Sequence, residues 1–547
     1  REISSVRAVG KISELDAKLI GSTLSGSPML LHTRWATHGG VTQDNAHPHM
    51  SADGMVAVVH NGIIENYLDL RKELEGNGAT FQSRTDTEVI PNLLSTYYNQ
   101  TKDIKKAVIH TTKRLKGNYA FVALFRNGTL AAARYHEPLI IGLENDGGYF
   151  VSSDILGFAE TDKAIYLENE QLVIIDKNSM KVFDFQGKPV SYDTFEMPKD
   201  IISAQKGEYP HYTIKEITEQ RHTILDAIQK SDKEIDSFID AIKGINRMYF
   251  CGSGTSYHVA LLAKYLLPKV TGVMVEPMVA SESRFLFDLV MPDSAFVSIS
   301  QSGESADVLE ASEMARDKGT KTLAIVNSKT STLAHESDIS IPLNCGPEIG
   351  VAATKSFTSQ LAIIYRIAGR LSDGKITPDF KALSNMIEQF LKSNDIERLA
   401  KNLRYSQSIY VLGRGIHYPI AKEGALKVKE LAYIHAEGIA AGELKHGPLA
   451  LMNESVWVIA INPTDEYFEM NLNSISEIKA RGANVIGISD EPNDLYDEFV
   501  MIPKVPQSLL YPVLEVIPFQ LLAYYLAVEI GEDPDHPRHL AKSVTVR

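Results

Sequence analysis

The chain has 547 residues, of which 44 % are hydrophobic and 23 % charged. That is ample apolar material for several cores; it excludes bulk disorder and, at about 100–200 residues per domain, predicts about three or four domains. The formal charge of −14, from 55 basic and 69 acidic side chains, is offset by no Lys/Arg-rich block. No nucleic acid is therefore expected as a partner, and an anionic ligand has to be held by local groups. Having only Cys251 and Cys345 excludes a disulfide framework and a cysteine zinc site, and predicts a reduced, cytoplasmic protein.

Residues 1–195 carry short apolar runs separated by turn residues: SPMLLHTRW, GMVAVVHNGII, NYAFVALFRNG, TLAAARYHEPLIIGLE, YFVSSD and QLVIIDK. Such runs predict an α+β domain on antiparallel sheets, with helices at YLDLRKELEGNG and IPNLLSTYYNQ. From Gly187 to Tyr212 the chain turns polar and holds Pro189, Pro198 and Pro210. A linker is expected there, placed at 198–222 behind a first domain over 1–197.

The next 300 or so residues contain a duplication. MYFCGSGTS (248–256) matches YVLGRGI (410–416), AFVSISQSGES matches VWVIAINPTDE, and KTLAIVNS matches NVIGISDE. The offset is close to 162 residues for Cys251/Gly413, Ser300/Asn462 and Leu323/Val485. A helical pattern follows each strand, as in ADVLEASEMARDKG and NSISEIKARG, so two similar α/β domains with parallel sheets are predicted, at 223–372 and 373–530. The apolar stretch Leu509–Val528 carries Glu515, Gln520, Pro512 and Pro518 and reads as a buried core helix entered through a proline turn, so no membrane span is expected. The last residues, 531–547, read as an extended tail.

Ser300-Gln301-Ser302-Gly303-Glu304-Ser305 lies between a strand and a helix. A loop of hydroxyl residues at a helix N-terminus suits a phosphate dianion, although Ser302 or Ser305 could equally serve as an N-cap. The neighbouring loop Gly252–Ser256 opens on the same crevice of a doubly wound sheet and favours phosphate. The second copy has Asn462-Pro463-Thr464-Asp465 at that place, so only the first copy is expected to bind an anion. In EGALKVKELAYIHAEGIAAGELKHGPLAL, Lys427 and Glu430 share a helix face, and Glu437, Glu443, Lys445 and His446 follow. A carboxylate and an imidazole there could transfer protons; a solvated helix face and an ordinary loop histidine explain the same spacing.

SISQSGES, IGVAATKSFTSQLA, KVKELAYIHAE…AAGELKHGPLAL and PRHLAKSVTV together resemble the isomerase half of the glucosamine-6-phosphate synthase family, also called glutamine–fructose-6-phosphate aminotransferases. HTRWATHG, NAHPH, HNGIIENY and RTDTEV look like the glutaminase half of that family. The resemblance implies a multi-domain chain: an α+β glutaminase domain of the N-terminal-nucleophile sandwich type with its first part missing, then two tandem α/β sugar isomerase domains. It implies that Ser256, Ser300, Gln301, Ser302 and Ser305 hold the phosphate of fructose 6-phosphate, Ser305 standing where the family usually has threonine. Lys542 would form a Schiff base with the open-chain ketose, and its amine has to be uncharged to attack. His446 would assist ring opening from the neighbouring subunit, which implies a homodimer. Glu430 would move the proton between C1 and C2, with Lys427 and Arg414 orienting and neutralising charge. No redox cofactor is implied, and no metal is expected: in NAHPH, His47 and His49 alternate as on a strand.

In the first half an arginine and an aspartate are what a free amino acid such as glutamine needs, and Arg34 and Asp86 supply them. Asn61 and Gly62 could form an oxyanion hole, or merely a hairpin turn. By resemblance Thr37 and His38 line the same pocket and Trp35 gates an ammonia path. The family hydrolyses glutamine with an N-terminal cysteine whose α-amine is the base. This sequence begins with Arg1 and has no cysteine in its first 195 residues. It reads as a fragment of a longer chain, the alternative being a protein that lacks the nucleophile; as given it is not expected to hydrolyse glutamine. Without that nucleophile an ammonia-dependent or isomerase-only enzyme remains open, and a non-catalytic sugar-phosphate sensor is the reading from another class. His539, Arg547, Ala353 and Arg221 depart from the family pattern.

Overall fold

The computed structural model describes residues 2–22, 24–34, 38–144, 147–153, 161, 163–177, 179–196 and 206–542. They fall into two compact units, one ending near residue 201 and one beginning there.

The first unit holds α1 (Ile12–Leu19), β1 (His49–Met50), β2 (Val56–Gly62), α2 (Tyr67–Gly76), α3 (Val89–Thr101), α4 (Ile104–Thr112), β3 (Tyr119–Phe125), β4 (Leu130–Tyr135), β5 (Ile140–Leu143), β6 (Tyr149–Ser152), β7 (Lys163–Tyr166), β8 (Gln171–Asp176), β9 (Ser179–Asp184) and β10 (Phe195–Glu196). One sheet runs β1-β2-β3-β4-β8-β9 and the other β10-β7-β5-β6, with antiparallel pairing throughout. The period of two decides the layers. Val56, Val58, Phe121 and Phe125 pack with Leu70, Leu93 and Val108 of the helices, while Val59, Ala120 and Val122 pack with Ile141 and Ile165 of the second sheet. The α+β antiparallel sandwich read from the sequence is therefore present. SPMLLHTRW differs: residues 27–34 form no strand, and Met29 and Leu31 are exposed. A strand needs a neighbour for its ladder, and among the described residues none pairs with this run. The helix α4, which the sequence reading did not single out, is announced by Asp103, whose side chain accepts from the Lys106 N–H as an N-cap.

The second unit begins with α5 (Tyr212–Gln229) and α6 (Asp232–Ala241). Then come β11 (Arg247–Gly252), α7 (Thr255–Thr271), β12 (Met274–Val279), α8 (Ala280–Leu286), β13 (Ala295–Ser300), α9 (Ala306–Asp317), β14 (Lys321–Val326), α10 (Thr332–Glu336), β15 (Ile339–Pro342) and α11 (Lys355–Leu371). After α12 (Phe380–Ser393) and α13 (Ile396–Leu403) the pattern repeats as β16 (Ser408–Gly413), α14 (Tyr418–Ala432), β17 (His435–Ala440), β18 (Trp457–Ile461), α15 (Phe468–Lys479), β19 (Asn484–Ser489), β20 (Glu498–Met501) and α16 (Tyr511–Glu529). The two parallel sheets have the same strand order, β12-β11-β13-β14-β15 and β17-β16-β18-β19-β20, as the 162-residue repeat implies. In each, the chain reverses direction across the sheet between the first and third strands, so the loops following β11 and β13, and those following β16 and β18, flank a crevice. One apolar core runs through both copies and includes α16. That helix is long and apolar enough to cross a membrane by composition, but 89 % of its most apolar window is buried inside the unit.

The linker expected over 198–222 is corrected at its C-terminal end, because Tyr212 already starts α5. Thr213, Glu216 and Gln220 are buried on that helix beside Ile217 and Ile224, and Gln220 exchanges hydrogen bonds with Gln520 and Thr358. Buried polar residues broke the apolar spacing that would have revealed the helix.

Candidate active site

In the first copy, β13 ends at Ser300, whose Oγ accepts from the Gly303 N–H at 2.9 Å; the Ser302 Oγ accepts from the Glu304 N–H at 3.1 Å. Ser305 occupies the N-cap position of α9, yet its hydroxyl makes no capping bond, so the N-cap explanation does not use it. The turn requires glycine at 303: φ is +72°, and a Cβ would lie 2.2 Å from the Ser331 Oγ. The Gln301 carbonyl accepts from the Asn327 N–H. Across the crevice, Ser256 in the first turn of α7 accepts from the Gln360 amide of α11 at 3.2 Å.

The face of α14 is not solvated. Lys427 is fully buried, its Nζ 2.5 Å from Glu430 Oε2, 3.1 Å from Thr255 Oγ1 and 3.4 Å from Glu423 Oε1. Burial alone would lower its pKa, but Glu430 and Glu423 outweigh burial and hold it above the ordinary lysine range. Glu423, equally buried, also accepts from the Thr255 hydroxyl and lies 2.7 Å from His258 Nδ1. Burial pushes that carboxyl up, and Lys427 and His258 bring it below its usual value. Thr255 thus ties the helix that carries Ser256 to the helix that carries Glu430.

The tail brings Lys542 to the first copy. Its Nζ donates to Glu348 Oε2 and to the Gly350 carbonyl, both at 2.8 Å. Glu348 is buried and accepts from the N–H groups of Thr354 and Ser356 and the Ser356 hydroxyl. Burial opposes its charge, but Lys542 and those N–H groups carry its pKa down to about 2. The same carboxylate is felt by Lys427. Lys542 and Ser256 therefore contact one structural run, Lys542 at the loop 348–350 and Ser256 at Gln360 in the second turn of α11.

The crevice of the second copy is already filled. His417 is fully buried, with Nε2 2.7 Å from Asp465 Oδ2 and Nδ1 3.0 Å from Glu515 Oε2. Burial would lower its pKa, but the two carboxylates raise it to about 9. Thr464 donates its N–H to Asp490. Asp465 and Asp490 line that loop, so its charge opposes an anion. Arg414, just after β16, donates to Asn471 and Ser474 on α15. His446 ends a short 3-10 turn, is exposed, and makes no hydrogen bond among the described residues.

In the first unit, Asn61 and Gly62 are the last residues of β2 and pair with Ala120 and Tyr119, so they are not a hairpin turn. Gly62 has φ +104°, and a Cβ there would meet the Asn118 carbonyl at 2.1 Å. The Asn61 Oδ1 is 3.1 Å from His32 Nε2. Asp86 is buried, accepts from the Ile64 N–H at 2.8 Å and lies 4.0 Å from His38 Nδ1. Arg34 donates to the carbonyls of His38, Gly39 and Gly40; burial lowers its pKa and Asp86 opposes that. Arg34, His38, Asp86 and the end of β2 thus form one neighbourhood, while Trp35 and Thr37 lie outside the described residues. Behind it, His47, His49 and His60 are buried together and half-buried His32 stacks on His47 at 4.1 Å. Both cysteines are buried in the second unit, and burial pushes the Cys345 thiol up to about 12.

Comparison with known proteins matches residues 32–159 to a glutamine amidotransferase domain and residues 241–368 and 402–530 to SIS domains. A glutamine–fructose-6-phosphate aminotransferase (isomerizing) of Methanothermobacter thermautotrophicus is 40 % identical over 545 residues, covering 98 % of this chain and 92 % of that protein. The chain belongs to the glutamine–fructose-6-phosphate aminotransferase (isomerizing) family. A member from Aquifex aeolicus is 41 % identical with the same coverage. Among solved structures, the C-terminal domain of the Francisella tularensis aminotransferase matches with a TM-score of 0.56 and 34 % identity, covering 61 % of this chain and all (100 %) of that one.

Within this aminotransferase chain, sequence reasoning did not single out Glu348, Glu423, His258 or Thr255. Glu423 stands one turn before Lys427 and extends the same helix face, a signal that was there to read. Glu348 lay inside the quoted motif IGVAATKSF's upstream neighbour GPEIG, and its partner Lys542 is 194 residues away.

Proposed function

We propose that this chain makes glucosamine 6-phosphate from fructose 6-phosphate with glutamine-derived ammonia, using the second unit for the sugar. The observation that carries the reading is the Lys542 amine, held by Glu348 in the loop that leads into α11, whose Gln360 bonds Ser256. In this reading Ser256, Ser300, Gln301, Ser302 and Ser305 receive the phosphate through hydroxyls, backbone N–H groups and the positive end of α9. Lys542 loses a proton, attacks C2 of the open-chain ketose, and water leaves as the C2 imine forms. Ammonia displaces Lys542 at C2. The Glu430 carboxylate takes a proton from C1 and returns it to C2, which turns ketose into aldose; Lys427 at 2.5 Å balances its charge.

His446, exposed on its own chain, opens the sugar ring in a second copy, so the working state is a homodimer. In the first unit Arg34 and Asp86 bind the α-carboxylate and α-ammonium of glutamine, His38 and Thr37 line the pocket, Asn61 and Gly62 form the oxyanion hole, and Trp35 gates ammonia. The free, unpaired thiols fit the cytoplasm. A second reading, in which the sugar half runs on free ammonia, is favoured by the placement of Lys542, Glu430 and the serine loop together in one compact unit. The test is product formation from fructose 6-phosphate with ammonia and with glutamine separately. Ammonia alone supporting turnover favours the second reading; no product with either overturns both.

A further inference from the structure

The helix α5 meets the surroundings of Lys542 at two places. Within its second turn, Glu216 is buried, and its Oε1 accepts from the N–H groups of Ile349 and Gly350. Its Oε2 has no hydrogen-bond partner among the described residues and lies so close to Gly350 that a Cβ there would come within 2.9 Å. At the start of α5, the N–H groups of Tyr212 and Thr213 and the Thr213 hydroxyl donate to the Asp535 carboxylate, each at 2.8 Å. The Val351 N–H donates to the Asp535 carbonyl at 3.1 Å. Lys542 itself bonds Glu348 and Gly350, neighbours of the residues that Glu216 and Asp535 grip.

We propose that Glu216 and Asp535 are positioning residues for Lys542: α5 fixes both the loop that receives the amine and the tail that delivers it. This rests on the reading of Lys542 as the sugar-binding amine. Burying a carboxyl to hold two backbone N–H groups is costly unless their placement matters. The groups facing Glu216 are Glu348 from the loop, Lys542 from the tail and Lys355 from α11. Burial and the neighbouring Glu348 raise the Glu216 pKa, while Lys542 and the N–H groups of Thr354 and Ser356 lower that of Glu348, so Glu348 is the readier of the two to carry the charge that faces Lys542. A displacement of an ångström at an attacking amine is enough to slow a reaction about 100-fold.

The test uses the full chain with Glu216→Leu, Glu216→Gln and Asp535→Ala. Three quantities are read: fructose 6-phosphate affinity, the rate at which borohydride captures the sugar on Lys542, and deuterium uptake over 533–542. In Glu216→Leu and Asp535→Ala, uptake rises and capture slows at least about tenfold while affinity changes by less than about threefold; Glu216→Gln, which keeps the acceptor, stays near wild type. Capture at the wild-type rate in both, or affinity lost in step with capture, overturns the proposal. If Glu216→Leu does not fold, Asp535→Ala decides by the same readings. If the wild-type chain captures nothing on Lys542, the Schiff-base reading fails, and deuterium uptake alone decides: a rise upholds the clamp and no change overturns it.

Discussion

Lys542 Nζ lies 2.8 Å from Glu348 Oε2, an ion pair between the tail and a carboxylate that is itself fully buried. The pair holds the amine in place, and in the proposed reading it is loosened before the amine attacks. Lys542→Arg keeps the charge and the contact but not the nucleophile. It is expected to abolish glucosamine 6-phosphate synthesis while leaving fructose 6-phosphate affinity largely intact. Wild-type turnover in that variant would remove the Schiff-base role.

In the proposed reading the loop Ser300–Ser305 holds the phosphate through hydroxyls, without a basic side chain. Ser302→Ala with Ser305→Ala should weaken fructose 6-phosphate binding by about 3–6 kcal/mol, the worth of two hydrogen bonds to an anion. Calorimetric titration measures it, and an unchanged dissociation constant would move the phosphate elsewhere.

Gly303→Ala is a test of the same loop through the backbone. With φ at +72° and Ser331 and Val326 in the way of a Cβ, the turn has to deform. The expected cost exceeds about 1 kcal/mol in stability, with sugar-phosphate affinity falling too. A variant as stable and as tight-binding as wild type would show that the turn is not needed.

The first unit should be acid-labile. Burial lowers the pKa of His49 to about 3 and of His60 to about 4, and the positive charge of Arg7 and Arg34 adds to the effect at His49. Both folded values lie below the unfolded value near 6.5, so the stability these neutral rings contribute is complete above pH 6.5 and is lost as pH falls toward 4. Two such groups give a slope of about 2.7 kcal/mol per pH unit near pH 5. Calorimetry from pH 7.5 to 5 should show the transition of this unit moving down steeply. A transition that does not move would mean these rings are protonated or solvated in the folded state.

Legibility followed the range of the interactions. The duplication was readable because each strand ends in a small-residue loop at a constant offset, and both sheets then take the same order. Lys542, Glu430 and the serine loop were singled out through their local motifs. The linker was drawn too long because Glu216 and Gln220, polar yet buried, mask the start of α5. Asp535 could not be read at all: its partners on α5 are 322 residues away, and nothing local marks its carboxylate as an N-cap for a distant helix. The motif likewise names Arg414 but not the helix its guanidinium turns toward, α15.

The central claim is that the sugar is held covalently by the tail. Incubation with fructose 6-phosphate and borohydride, followed by peptide mass mapping, tests it most directly. The expected result is a reduced hexitol phosphate adduct on the peptide containing Lys542, absent from Lys542→Arg. No adduct, or an adduct on Lys427 instead, would contradict it.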